Sequence, residues 1–155
     1  MEMDIGLINE DIRVLNRHLN SIEHMIYVSC KFTRTTEMLK KVMETIVNGY
    51  EQFFGVAYRI FIDDETIEAN NVLDRIKILK EGFLMNGLDL DLSDYFLLKR
   101  LLMSDFECIG EYRKNLCMVS YLDGSEYIIN ISKLLNFYEN LKNVCVGLGS
   151  FKNNF

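Results

Sequence analysis

Apolar residues open the chain at a helical period. They fall at Ile5, Ile8, Ile12, Leu15, Leu19, Ile22 and Ile26, at alternating spacings of three and four. That pattern predicts one long amphipathic helix with a heptad-like seam, roughly 35 Å or more in length. Asp4 is placed to cap it. A polar connector follows, Lys31-Phe32-Thr33-Arg34-Thr35-Thr36, in which Thr35 or Thr36 can cap the next helix. Leu39, Val42, Ile46, Phe53, Ala57 and Ile60 mark a second long helix to about Ile62. Gly49 lies on its apolar stripe, where a missing side chain allows a neighbouring helix to come close.

Asp63-Asp64 breaks that run and can cap a third helix, carrying Ile67, Leu73, Ile76, Leu79 and Phe83 and stopping near Asn86-Gly87. Leu88–Leu92 alternates apolar and acidic residues and is expected to be an extended connector. Ser93 is expected to cap a fourth helix bearing Leu97, Leu101, Phe106 and Ile109. The period then changes. Leu116–Tyr121 and Glu126–Ile131 are β-prone, and Asp123-Gly124 between them signals a hairpin. Ser132 is expected to cap a fifth helix with Leu134, Tyr138, Leu141 and Cys145, ended by Gly147 and Gly149. The expected architecture is a mostly α, five-helix bundle with one C-terminal β-hairpin before the last helix, a single domain over residues 1–155.

Composition narrows the chemistry. The chain has no proline and a net charge of −6, an acidic balance that speaks against general nucleic-acid binding. Missing proline suits long uninterrupted helices. Only Ala57 and Ala69 are alanine, against 14 asparagines, which reads as the codon bias of an AT-rich genome. Cys30, Cys108, Cys117 and Cys145 form no C-x-x-C pair and are expected to be buried, reduced thiols, pointing to the cytoplasm. No basic and apolar leader opens the chain, and no run approaches a membrane span.

Several sites are excluded by spacing. Leu15 and Ser21 stand three residues before His18 and His24, so the Glu-x-x-His pairs of di-metal bundles and the H-E-x-x-H zinc motif are missing. Gly147-Leu148-Gly149 follows the predicted last helix and lacks the remainder of a nucleotide loop. No G-x-S-x-G elbow occurs. Asp89, Asp91 and Asp94 suggest a half-buried edge more than a cation site. No cofactor and no metal centre is expected.

Two constellations carry candidate chemistry. Arg13 to His18 reads R-x4-H and Arg17 to His24 reads R-x6-H. This spacing resembles the signature of HEPN ribonucleases, small dimeric helical bundles. The resemblance implies a metal-independent cut of RNA, with Arg13 and Arg17 stabilising the phosphorane-like charge and His18 and His24 moving protons. On the seam, Arg17 and His24 fall on the outer face and His18 flanks the core, which also suits a solvated face with a boundary histidine. The second constellation is Lys31, Arg34, Lys40 and Lys41, interleaved with Thr33, Thr35 and Thr36. It is the densest basic stretch and stands at a predicted helix N-terminus, a place that favours anions. Tyr50, Phe53, Phe54, Tyr58 and Phe61 crowd the second helix as core, with some left to cover a partner protomer.

The run His18-Leu19 through His24-Met25-Ile26-Tyr27-Val28 is similar to the opening of a family of small archaeal proteins of unassigned function. Arg113-Lys114 through Tyr121, then Ile128–Ser132 and Tyr138, resembles that family's closing hairpin and helix. The resemblance covers about a third of the chain and implies a helical bundle with a terminal hairpin, with no catalytic residues. The leading expectation is therefore a non-enzymatic cytoplasmic interaction protein, homodimeric through a long helix. A HEPN-like ribonuclease or toxin component, with RNA as its partner, is the alternative.

Overall fold

The computed structural model describes residues 5–61 and 71–152. Among the described residues the chain forms five helices and a three-stranded antiparallel sheet, with the sheet inserted before the last helix. The expectations placed on Asp4, Asp63-Asp64 and Ile67 lie outside the described residues.

Helix α1 runs Ile5–His24, passes through a π turn at Met25–Ser29, and closes with a final turn at Cys30–Phe32. The π turn admits one extra residue without breaking the helix, and Cys30 N–H donates to Met25 O. The expected connector therefore shortens, because Lys31 and Phe32 belong to the helix. Leu15, Leu19, Ile22 and Ile26 are buried. Their seam is taken up by the chain's own α2 (Thr36–Phe61) and α5 (Ile131–Lys152), so it is not left over for a second protomer.

Helix α2, Thr36–Phe61, is the central element. Thr35 Oγ1 accepts from Met38 N–H at 3.2 Å and caps it. α1 and α5 (Ile131–Lys152) both pack on α2 and come together at Gly49. Gly49 permits that crossing: a Cβ there would stand 2.7 Å from Leu141 Cδ2. The close approach expected from the stripe is real, and the partner is α5.

Helix α3 spans Val72–Met85, begun by the Asn71 side chain accepting from Asp74 N–H at 2.9 Å. Residues 88–92 are the extended connector the alternation suggests, with Leu90 and Leu92 turned inward. Helix α4 spans Ser93–Leu102. Ser93 does not cap it. Asp91 Oδ1 accepts from Ser93 N–H at 3.0 Å and Ser93 Oγ–H at 2.7 Å, so Ser93 is the donor in the first turn.

α4 also ends earlier than its apolar spacing suggests. Phe106 lies past its end, and Glu107–Ile109 form strand β1, which the helical reading hid. β1 pairs with β2 (Cys117–Leu122), and β2 with β3 (Ser125–Ile129). The β2–β3 turn is the expected hairpin: Asp123 and Gly124 both take positive φ, 52° and 80°, as a type I′ turn requires. Ser120 is buried on β2, and its hydroxyl meets Ser104 Oγ at the end of α4.

α5 starts at Ile131, and its cap is Asn130, not Ser132. Asn130 Oδ1 accepts from Lys133 N–H at 2.8 Å. The helix continues through Gly147 and Gly149 to Lys152, because Leu148 still packs into the core. Replacing Asn130 with Ala should cost about 1 kcal/mol in urea unfolding, while Ser132→Ala should be near neutral. Equal costs at the two positions would contradict this assignment.

The core is one cluster shared by all five helices and the sheet. Its centre is aromatic: Phe54 meets Tyr95 edge-on at 5.0 Å between centroids, and Phe53 meets Phe83 at 6.1 Å. Among the described residues no helix is long and apolar enough to cross a membrane.

Candidate functional site

The corner where α1 passes into α2 gathers the predicted basic residues with a loop distant in sequence. Thr33 N–H closes on Ser29 O at 2.8 Å, which turns the chain out of α1. Arg34 O then accepts from Tyr112 N–H at 2.7 Å. That bond docks the β1–β2 loop, residues 110–116, onto the connector. Arg113 and Lys114 in this loop are exposed and join Lys31 and Arg34.

The loop has a demanding backbone. Gly110 takes φ 74°, and a Cβ there would meet Asn115 Oδ1 at 2.6 Å. Tyr112 takes φ 65°, a left-handed conformation that non-glycine residues adopt at a cost. Tyr112 is 76% exposed, and Phe32 at the end of α1 is 87% exposed. Lys31 Nζ stands 6.0 Å from the centroid of the Tyr27 ring, at the reach of a cation–π contact. The corner thus carries exposed Lys31, Arg113 and Lys114 and half-buried Arg34 on a chain whose net charge is negative.

Lys40 and Lys41 are further along. Lys40 Nζ lies over the Phe106 ring at 4.9 Å, on the approach to β1, and Lys41 is exposed on α2. Thr35 already uses the Met38 N–H, so the start of α2 offers less to an anion than the sequence suggests. Tyr112, Arg113 and Lys114 were not among the expected site residues. Their polar loop is visible in the sequence, but only the Arg34–Tyr112 bond places it here.

The Arg and His residues of the HEPN-like spacing separate into two groups. Arg13 and His24 stand three turns apart, and with Arg17 they share the outward face of α1. All three are exposed, and Arg13 Nη1 approaches Glu10 Oε2 at 3.5 Å. His18 faces the other way, half-buried against α2, with Nε2 3.0 Å from Thr45 O. Its ring fills the space beside Gly49. The structure places His18 as a boundary histidine bonded to backbone.

The cysteines differ from one another. Cys30 is buried, and burial pushes its thiol up to about 11. Burial pushes Cys145 up to about 12. Cys108, by contrast, is exposed, its Sγ donating to Glu111 Oε2 at 2.6 Å. That contact raises the Cys108 thiol above its ordinary range. The expectation of four buried thiols holds at Cys30 alone: Cys117 and Cys145 are half-buried, and Cys108 is exposed because β1 is an edge strand with an open outer face.

Asp89, Asp91 and Asp94 follow α3. The two hydrogen bonds from Ser93 hold Asp91 below the usual carboxylate range. Among the described residues no group of three His, Cys, Asp or Glu side chains is placed to hold a metal ion.

Comparison with protein-family models, curated proteins and solved structures finds no significant match to this chain.

Proposed function

We propose that the protein is a non-enzymatic interaction protein of the cytoplasm. It docks an acidic segment of a partner protein at the α1–α2 corner and associates with a second copy along the outer side of α1. The observation that carries this reading is the Arg34–Tyr112 backbone hydrogen bond of 2.7 Å. It docks the loop that carries a left-handed Tyr112 with Arg113 and Lys114 onto the connector that carries Lys31, Phe32 and Arg34. Strained, well-fixed backbone of this kind clusters at binding sites. Arg and aromatic residues are the side chains that carry most interface energy. The π turn supports the same reading, since it carries Tyr27 and Val28 to the surface beside Lys31. Val14, also exposed on α1, extends that outer side away from the corner. Four free cysteines suit a reducing compartment.

The test joins two measurements. A fluorescent poly-glutamate peptide should bind the wild-type protein, and the double substitution Lys31→Glu with Arg113→Glu should weaken it by about tenfold or more. Light scattering after size exclusion should give twice the chain mass, falling to one chain mass for Val14→Glu with Val28→Glu. Unchanged peptide affinity in the charge-reversed protein would overturn the docking part. A single-chain mass for the wild type would overturn self-association. RNA cut by the wild type and spared by His18→Ala would favour the HEPN-like alternative instead.

A further inference from the structure

The 88–92 connector lines a cavity of about 330 Å3, open to solvent on one side, together with α2, α3, α4 and α5. This lies within the ~300–1,000 Å3 range of small-ligand sites. Phe83 and Val144 supply an apolar wall, and Asp91, Asp94, Asn140 and Asn143 a polar one.

Tyr50 lines the same cavity from the centre of α2. It is fully buried, and its hydroxyl oxygen is the buried side-chain polar atom without a hydrogen-bond partner among the described residues. Buried hydroxyls are normally satisfied, and one left alone costs stability. The ring cannot turn the oxygen elsewhere cheaply, being set between Tyr95 at 5.7 Å and Phe54 at 6.5 Å. Burial, and after it the charges of Asp94 and Asp91, keep this phenol protonated well above its ordinary range. It therefore offers a neutral oxygen beside two carboxylates.

The acidic wall is ordered. Asp94 Oδ2 accepts from Asn140 Nδ2 at 2.6 Å, a bond between α4 and α5 that fixes the carboxylate at the cavity. Asp91 Oδ1 is occupied by Ser93. Lys80 is the cation whose charge reaches Asp91.

We propose that this cavity binds a small organic ammonium ion, its N–H groups directed to Asp94 and the Tyr50 oxygen and its alkyl body lying against Phe83 and Val144. A primary ammonium brings three donors and no acceptor, which matches a carboxylate, a phenol oxygen and an amide carbonyl. The carboxylates disfavour an anion. A bare divalent cation is disfavoured because Asp91 is committed to Ser93 and no three-ligand metal group forms among the described residues. The apolar wall suits an alkyl chain, which an inorganic ion lacks. This site is separate from the corner of the proposed function, so either can fail without the other.

The probe is n-butylammonium chloride, followed through the side-chain amide signals of Asn140 and Asn143 in the 15N-labelled full chain. Those signals should shift saturably, and 1-butanol at equal concentration should leave them still. Asp94→Asn should weaken binding by about tenfold or more. Tyr50→Phe, which removes only the oxygen and keeps the fold, should weaken it by about threefold or more. The proposal is overturned by a lack of saturable shift, or by equal affinity in the wild type and both variants. It is overturned equally if calcium chloride reproduces the shifts, which would mark a metal site.

Discussion

Phe54→Ala should lower the free energy of unfolding by about 4 kcal/mol in urea, with little change in the denaturant slope. Phe54 is 2% exposed and stands at the meeting point of α2 and α4. Its ring meets Tyr95 at 5.0 Å and 88°, an edge-to-face geometry that adds to burial. Phe53 lies 5.9 Å away on the same helix and continues the cluster to Phe83 on α3. Truncation therefore loses the transfer energy of a full aromatic ring and leaves a cavity that three neighbouring rings, each held by others, cannot fill. Against a typical total of about 5–15 kcal/mol, the loss is large. A cost below about 1.5 kcal/mol would show that the cluster is not the centre of the core. Phe96→Ala, on the outer side of α4 and 38% exposed, serves as the contrasting control and should cost much less.

Gly49→Leu should cost about 3 kcal/mol, from overpacking alone. The added Cβ would stand 2.7 Å from Leu141 Cδ2, 3.4 Å from His18 Cδ2 and 3.5 Å from Ile22 Cδ1, so the new side chain meets α5 and α1 together. Leu141 and Ile22 are fully buried and have little room to retreat. Gly49→Ala is a finer probe. It gains about 1 kcal/mol of helix propensity and loses a similar amount by pushing the Leu141 methyl, so its net effect should be small. Gly55 lies on the same helix with nothing within 4 Å of an added Cβ. Gly55→Ala should therefore stabilise by about 0.5–1 kcal/mol. If Gly49→Leu and Gly55→Leu proved equally tolerated, the tight α2–α5 crossing would be refuted. His18 would also respond to Gly49→Leu, since its ring shares that space and its bond to Thr45 O depends on α1 staying close to α2.

The helical periods were legible because each apolar stripe repeats within a few residues and needs no distant partner. The α1 seam, the α2 stripe, the Gly49 gap and the Asp123-Gly124 turn all follow from local spacing. Helix ends were legible less well. At Ser132 the cap belongs to Asn130, and at Ser93 the helix starts after Leu92 with no side-chain cap, Asp91 closing a turn onto Ser93 instead. The two serines, Asn130 and Asp91 all have side chains able to cap or close a turn, and only the backbone direction selects one. Gly147 and Gly149 looked like a stop, yet α5 continues because Leu148 is buried. Strand β1 has three residues and no period of its own. It exists because β2 offers a hydrogen-bonding edge, with Glu107 opposite Val119 and Ile109 opposite Cys117.

For the sites the division is sharper. The sequence by itself determined that Lys31 and Arg34 sit at a helix boundary, that Arg17 and His24 share an outward face, and that the chain folds as a helical bundle. These are properties of neighbours along the chain, set by helical geometry and charge. Only the tertiary structure decided that Tyr112–Lys114 joins the basic corner and that His18 is tied to Thr45. It alone brought the buried Tyr50 hydroxyl to the Asp91–Asp94 wall. Each of these depends on elements far apart in sequence, whose approach is fixed by how the whole core packs.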